Sequence, residues 1–258
     1  MQRIAGWWVA VWLGAAGAAL LSSGTAAAGG GSGHLGGFGG AGYPLPADGY
    51  RLVEAELIDR RSGRVELRHQ HFDERGVADR IATLGTLTLR RTGAWQSSIG
   101  VGTYGAEETD AAGFINLHSR ALLREVDRDG YGLGIAGGVH YNVNDERRDD
   151  HYLVIPLTVE WGRRTTLHAN IGGIHYRQAD ETAGLWALAL DWQLARRWEV
   201  LFQFSSDTLS ESKVHGVTGL RYTVLDELVQ IDVGYGRELT SGGGDQYHFG
   251  LQFDAIRF

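Results

Sequence analysis

Three short stretches hold residue types that carry chemistry. His118-Ser119 sets a base beside a hydroxyl, the raw material of a serine nucleophile. His69-Gln70-His71 spaces two imidazoles as metal ligands are sometimes spaced. Asp149-Asp150-His151 offers an acid–histidine group. Each fails on geometry or company. Neighbours on an extended chain point to opposite faces, so His118 and Ser119 cannot share one site. His69 and His71 do share a face, but no third ligand follows at a suitable spacing. The acid–histidine group ends the polar run NDERRDD and reads as part of a solvated loop. No catalytic residue, metal or cofactor is expected, and the chain reads as a non-enzyme.

Most of these residues sit on elements of period two. In YGLGIAGGVHYNVN (131–144), Tyr131, Leu133, Ile135, Val139, Tyr141 and Val143 share one parity, broken only by Gly137. The other parity holds glycines, Ala136, His140, Asn142 and Asn144. Similar rows recur from residue 64 to 253: Leu153 to Trp161, Leu167 to Ile171, Trp186 to Leu194, Trp198 to Phe204, Leu220 to Val224, Val229 to Tyr235 and Tyr247 to Phe253. A soluble sheet with one wet face shows such alternation, and so does a membrane barrel with one face on lipid.

The connections favour the barrel. GRR (162–164), ARR (195–197) and LDE (225–227) are tight, whereas NDERRDD (144–150), QADETAG (178–184), SDTLSESKV (206–214) and RELTSGGGDQ (237–246) are long and polar. Short and long are expected to alternate strictly, as periplasmic turns and external loops do in outer-membrane barrels. Counting back through DRDG (127–130), GAEETDAAG (105–113), RRTG (90–93) and DERGVAD (73–79) gives strands starting near 64, 80, 94, 114, 131, 152, 166, 185, 198, 215, 228 and 247. YRLVEAELI (50–58) would make a thirteenth and leave the N-terminus outside, so parity assigns it to a periplasmic or luminal segment. A further strand within the glycine-rich stretch, giving fourteen, is the alternative count.

On this reading the odd face of 131–144 meets lipid. The even face lines a lumen where small residues leave room and His140, Asn142 and Asn144 meet water. Trp95, Tyr131, Trp161, Trp192 and Trp198 fall at periplasmic strand ends, and Tyr141, Trp186, Phe204, Tyr235 and Tyr247 at external ends. Two aromatic girdles follow, because amphipathic rings prefer the lipid–water boundary. Glu160, His168, Asn170, Asp191, Glu199, Arg221, Asp232 and His248 point inward. They either set a transverse field that sorts solutes or pair with one another and close the lumen.

The N-terminus is of another kind. Arg3, the apolar run Ile4 to Leu21 and the small residues Ala26 and Ala28 make a secretory signal peptide cleaved after Ala28, with an uncleaved anchor as the other reading. Nine of residues 29–42 are glycine, so 29–63 reads as a flexible periplasmic or luminal segment that can also fold inward as a plug. The domains expected are therefore 1–28, 29–63 and a barrel over 64–258. The chain of 258 residues has no cysteine, which excludes disulfides and thiolate chemistry. Its net charge of −7 and lack of a basic block argue against nucleic acid.

LTVEWGRRTTLHANIGG (157–173), LWALALDWQLARRWEVLFQF (185–204), GLRYTVLDELVQIDVGYGREL (219–239) and YHFGLQF (247–253) together resemble an outer-membrane transporter family named for the phenol meta-cleavage pathway. The resemblance spans 131–253, is most specific at Leu167 to Gly172, and implies a barrel of this size with a passive transport role and no catalytic residues. One departure concerns the end: Ile256 and Phe258 are out of phase with Phe249, Leu251 and Phe253, and a bulge near Asp254–Ala255 would restore the phase.

The expectation is an all-β protein, a single antiparallel transmembrane β-barrel of about twelve strands in a bacterial outer membrane. Its partners would be outer-membrane lipid and lipopolysaccharide, the barrel-assembly machinery and an unidentified small solute. It would pass small solutes, apolar or aromatic ones by resemblance. A non-conducting structural or surface-binding barrel and a lipid-modifying enzyme are the alternatives.

Overall fold

The computed structural model describes residues 55, 58, 60–73, 80–91, 93–106, 112–126, 130–143, 149–176, 180–208, 214–225, 228–239 and 244–257. The expected signal peptide and the glycine-rich stretch, residues 1–42, lie outside the described residues, as do Asn144 and Phe258.

Alternation of apolar and polar residues gives a strand two chemically different faces, and twelve such strands form among the described residues. They are β1 (Ser62–Asp73), β2 (Arg80–Arg90), β3 (Trp95–Ala106), β4 (Ala112–Arg124), β5 (Tyr131–Asn142) and β6 (Asp149–Trp161). β7 (Thr165–Tyr176), β8 (Glu181–Ala195), β9 (Trp198–Asp207), β10 (His215–Leu225), β11 (Val229–Glu238) and β12 (Asp245–Arg257) follow. Each pairs antiparallel with its sequence neighbours, and β1 pairs with β12, so the sheet closes into a barrel. Every start lies within four residues of the position expected from parity. The YRLVEAELI segment adds no strand among the described residues; Ala55 is instead buried inside the barrel.

Closure removes the unpaired backbone edge that hydrocarbon does not tolerate. The outward rows then meet lipid. Leu153, Ile155, Ile171, Leu188, Phe202, Phe204, Val233 and Phe249 are all exposed, Ile171 to 66%. A water-soluble domain does not leave so continuous an apolar belt uncovered. The inward rows carry most of the buried polar residues, among them Gln96, Thr158, Asn170, Gln203 and Ser205.

The connections differ in one respect from expectation. Those at one end are 91–94, 125–130, 162–164, 196–197 and 226–228; those at the other are 74–79, 107–111, 143–148, 177–180, 208–214 and 239–244. The second end is longer on average and is taken as external, but the alternation is not strict. The 125–130 connection is long because Val126 tucks inward against Gly132 and Gly130 donates back to the Val126 carbonyl at 2.8 Å. The 177–180 connection is short because Glu181, Thr182 and Ala183 join β8, opposite Tyr176, His175 and Ile174. Gly93, Gly130 and Gly162 take φ near 70–76° in the periplasmic turns, where a side chain would be strained.

The C-terminal phase is restored as its residues require. Val65 pairs with Phe253 and Gly63 with Ile256, so β12 carries one extra residue opposite Arg64, and position 256 returns to the register of the outward row. The strand continues to Arg257.

Glycine on the inward face is not empty space. A Cβ on Gly172 would lie 2.1 Å from the Leu153 carbonyl oxygen and 2.7 Å from Val154 Cα, both backbone atoms that cannot move aside. A Cβ on its neighbour Gly173 would meet nothing nearer than 3.4 Å. Gly172→Ala is therefore expected to destabilise the barrel by about 1–3 kcal/mol and Gly173→Ala by well under that, read as urea midpoints for refolding into lipid vesicles. Equal effects would show that backbone approach at Gly172 is not limiting. On the same strand, Ile171→Arg places a charge among the lipid tails and should cost about 2–4 kcal/mol; a neutral result in that assay would remove Ile171 from the membrane.

Candidate functional site: the barrel lumen

The inward residues of β1, β9, β10, β11 and β12 form a charged wall. Arg64 binds Asp254 through Nε and lies 3.7 Å from Glu66. Arg68 lies 3.8 Å from Glu66 and 4.0 Å from Asp232. His248 lies 3.6 Å from Asp232, and Arg221 donates to Glu199 at 3.2 Å. Glu66, Arg68 and Asp232 are almost wholly out of solvent. An isolated charge there would be prohibitive, and removing one partner would leave the others uncompensated. Two inward glycines give the network its room. A Cβ on Gly250 would sit 2.5 Å from the Asp232 carboxylate, and one on Gly234 would sit 1.9 Å from the His248 ring. These side chains lie flat along the wall because their cross-strand neighbours have none.

The β5–β8 wall is different. Ala136, Val154, Ile174, Tyr176, Ala183 and Leu185 make an inward apolar cluster with Tyr152 packed against it. Arg120 pairs across the sheet with Ala136 on one flank, and Asp207 with Leu185 on the other. The Tyr152 hydroxyl and His118 Nδ1 are hydrogen-bonded, with their rings stacked 5.9 Å apart. Ser119 points outward to Ser97 at 3.0 Å, so His118 and Ser119 are on opposite sides of the wall.

A third group fastens a segment that precedes the barrel. The Ala55 amide donates to Thr158 Oγ1 at 2.9 Å, and the Ile58 amide donates to Gln96 Oε1 at 3.0 Å. Arg90 Nη1 donates to the Ile58 carbonyl at 2.7 Å, while Nε and Nη2 hold the Gly93 carbonyl. Thr158 Oγ1 also lies 2.9 Å from His168 Nδ1, and His168 Nε2 lies 3.4 Å from Asp191. Because Thr158 accepts from Ala55, its own hydrogen is available to His168 Nδ1. A proton on Nε2 then faces the carboxylate. Gly132 lies directly beneath Ala55, and a Cβ there would be 2.4 Å from the Ala55 carbonyl oxygen.

Each residue singled out from sequence can now be placed. His168, Asn170, Asp232 and His248 are buried on the inner wall; Asp191 sits beside His168, and Glu199 beside Arg221. Glu160 is exposed at the periplasmic mouth, opposite Thr166. His140 does not meet water: it is hydrogen-bonded to Asn116, and its ring packs 5.0 Å from Phe114. The expected room above the small residues of β5 is occupied, by Tyr152 over Gly138 and by Ala55 over Gly132. Trp95, Trp161, Trp192, Trp198, Phe204, Tyr235 and Tyr247 are exposed on the outer surface, and Tyr131, Tyr141 and Trp186 are half-buried. His69 and His71 also face outward, His69 bonded to Thr83 and His71 near the Tyr247 ring. Sequence reasoning passed over Arg64, Glu66 and Arg68, although they alternate with Val65 and Leu67. It also passed over Gln96, Arg90 and Thr158, which carry no sequence mark of their luminal partners.

The fold is that of outer-membrane porins and channels. The KdgM porin superposes with a TM-score of 0.58 at 9% identity, covering 74% of this chain and 98% of that one. The NanC porin gives 0.59 at 9%, covering 74% and 99%. The COG4313 outer membrane channel from Pseudomonas putida F1 gives 0.55 at 11%, covering 82% and 98%. No functionally curated protein matches the sequence. One family does, over residues 97–252, which run from near the start of β3 into β12. The chain belongs to the family described as Uncharacterised conserved protein UCP029691.

Proposed function

We propose that the protein is a porin-like barrel of the bacterial outer membrane that passes small solutes by diffusion. The observation that carries this reading is the wall of one closed barrel, apolar outside and lined inside mostly by polar and charged side chains. Charged side chains on the inner wall of β1, β11 and β12 can also sort the solutes that pass. The resemblance of residues 131–253 to the phenol meta-cleavage transporters supports apolar or aromatic solutes. Lipid and lipopolysaccharide around the belt, and the barrel-assembly machinery for insertion, are the partners this reading requires.

A second reading has its own observation. Ala55, Thr158, Gln96 and Val126 are all buried at the periplasmic end, which suits a barrel sealed by its own N-terminal segment. The two readings separate in a liposome-swelling assay with small neutral sugars and aromatic acids. For a plugged channel, the full chain swells liposomes slowly, and deletion of residues 29–58 speeds swelling several-fold while leaving β1 intact. Arg90→Ala, which releases the Ile58 carbonyl, should give part of that gain. No swelling from any of the three would reject transport in favour of a structural barrel.

A further inference from the structure

Four of the five Arg-Arg pairs in the chain fall at the short-turn end of the barrel: Arg60-Arg61, Arg90-Arg91, Arg163-Arg164 and Arg196-Arg197. The pairs at 163 and 196 belong to adjacent hairpins, β6–β7 and β8–β9, so they form one corner of the rim. All four of their side chains are exposed.

The same corner carries a tryptophan belt. Trp161 pairs with Thr165 and Thr165 with Trp192, so the three lie at one level across β6, β7 and β8. Trp198 continues the belt on β9, its ring 4.5 Å from that of Tyr222. Trp161 is 69% exposed on the outer surface. Indole rings of this kind settle where hydrocarbon gives way to headgroups. The arginines follow Trp161 by two and three residues and precede Trp198 by one and two. At roughly 3.3 Å per residue, that places them in the layer of lipid phosphates. A guanidinium matches a phosphate with two parallel hydrogen bonds and is only weakly hydrated, so it suits this layer better than a lysine would. Among the described residues the opposite rim does not repeat the feature. Its described strand ends carry Asp73, Asp149, Asp150, Asp180, Glu181, Asp207, Glu238 and Asp245 against Arg80 and Arg237.

We infer that the β6–β9 corner of the periplasmic rim, Trp161 to Arg164 with Trp192 and Arg196 to Trp198, binds the phosphate of anionic phospholipids in the inner leaflet. This rests on the placement of the barrel in a membrane and not on transport, so an absence of solute flux leaves it standing. The rings hold the acyl-chain side of the lipid and the guanidinia hold its phosphate. Glu160 at the lip of the lumen is the nearest exposed acid on these strands and helps keep the anion on the outer side.

The test is native mass spectrometry of the detergent-extracted protein, titrated in turn with phosphatidylglycerol and phosphatidylethanolamine. The protein is expected to retain phosphatidylglycerol preferentially. Arg163→Gln/Arg164→Gln/Arg196→Gln/Arg197→Gln should lower that retention by roughly fivefold for each arginine removed, to the phosphatidylethanolamine level. Arg147→Gln/Arg148→Gln, the pair in the external loop, should leave it unchanged. Heat-modifiable gel migration checks that each variant folds, and the two double variants at 163–164 and 196–197 replace the quadruple one should it fail. Unchanged retention in the folded rim variants would overturn the inference. So would an equal loss in the external-loop variant, or displacement of the lipid by millimolar inorganic phosphate, which would mark the corner as a site for the free anion.

Discussion

Hydrocarbon cannot hydrogen-bond a peptide group, and everything else in this protein follows from that. A strand in lipid must have a partner on both sides, so the sheet must close, as β1 does on β12. Once it closes, its two faces meet different surroundings. The outer face is left to leucine, isoleucine, phenylalanine and tryptophan. The inner face is free to hold charge, provided that the charges satisfy one another. The ladder from Asp254 through Arg64, Glu66, Arg68 and Asp232 to His248 does so along three neighbouring strands.

That ladder depends on what its neighbours lack. Gly234 and Gly250 let the imidazole of His248 and the carboxylate of Asp232 lie against the wall. Gly132 and Gly138 do the same for Ala55 and Tyr152. Inward glycine in this barrel is thus a seat for a neighbouring side chain or backbone, and the lumen is narrower than its small residues suggest. The charged residues lie on β9–β12 and β1 and the apolar cluster on β5–β8, so the inner wall has two chemically unlike halves.

Period-two alternation and turn chemistry were enough to place all twelve strands, because each rests on side-chain direction alone. The phase of Phe249, Leu251 and Phe253 against the terminal residues left a bulge or an end at Phe253, and β12 carries the bulge. Other features escaped for physical reasons. The burial of His140 depends on Phe114 of the preceding strand, a contact that no local pattern records. The anchoring of Ala55 to Thr158 joins residues 103 positions apart through one hydroxyl. Loop lengths misled at 125–130 and 177–180, where Val126 turned inward and β8 grew outward.

The absence of native cysteine makes the central claim, that lipid covers the outward rows, directly measurable. Single cysteines placed one at a time from Leu167 to Ile171 can carry a nitroxide in reconstituted vesicles, with collision rates to oxygen and to a water-soluble nickel chelate read at each position. The account predicts oxygen access that peaks at 167, 169 and 171, with both reagents scarce at 168 and 170. Low oxygen access at both parities, as in the dry interior of two packed sheets, would contradict it.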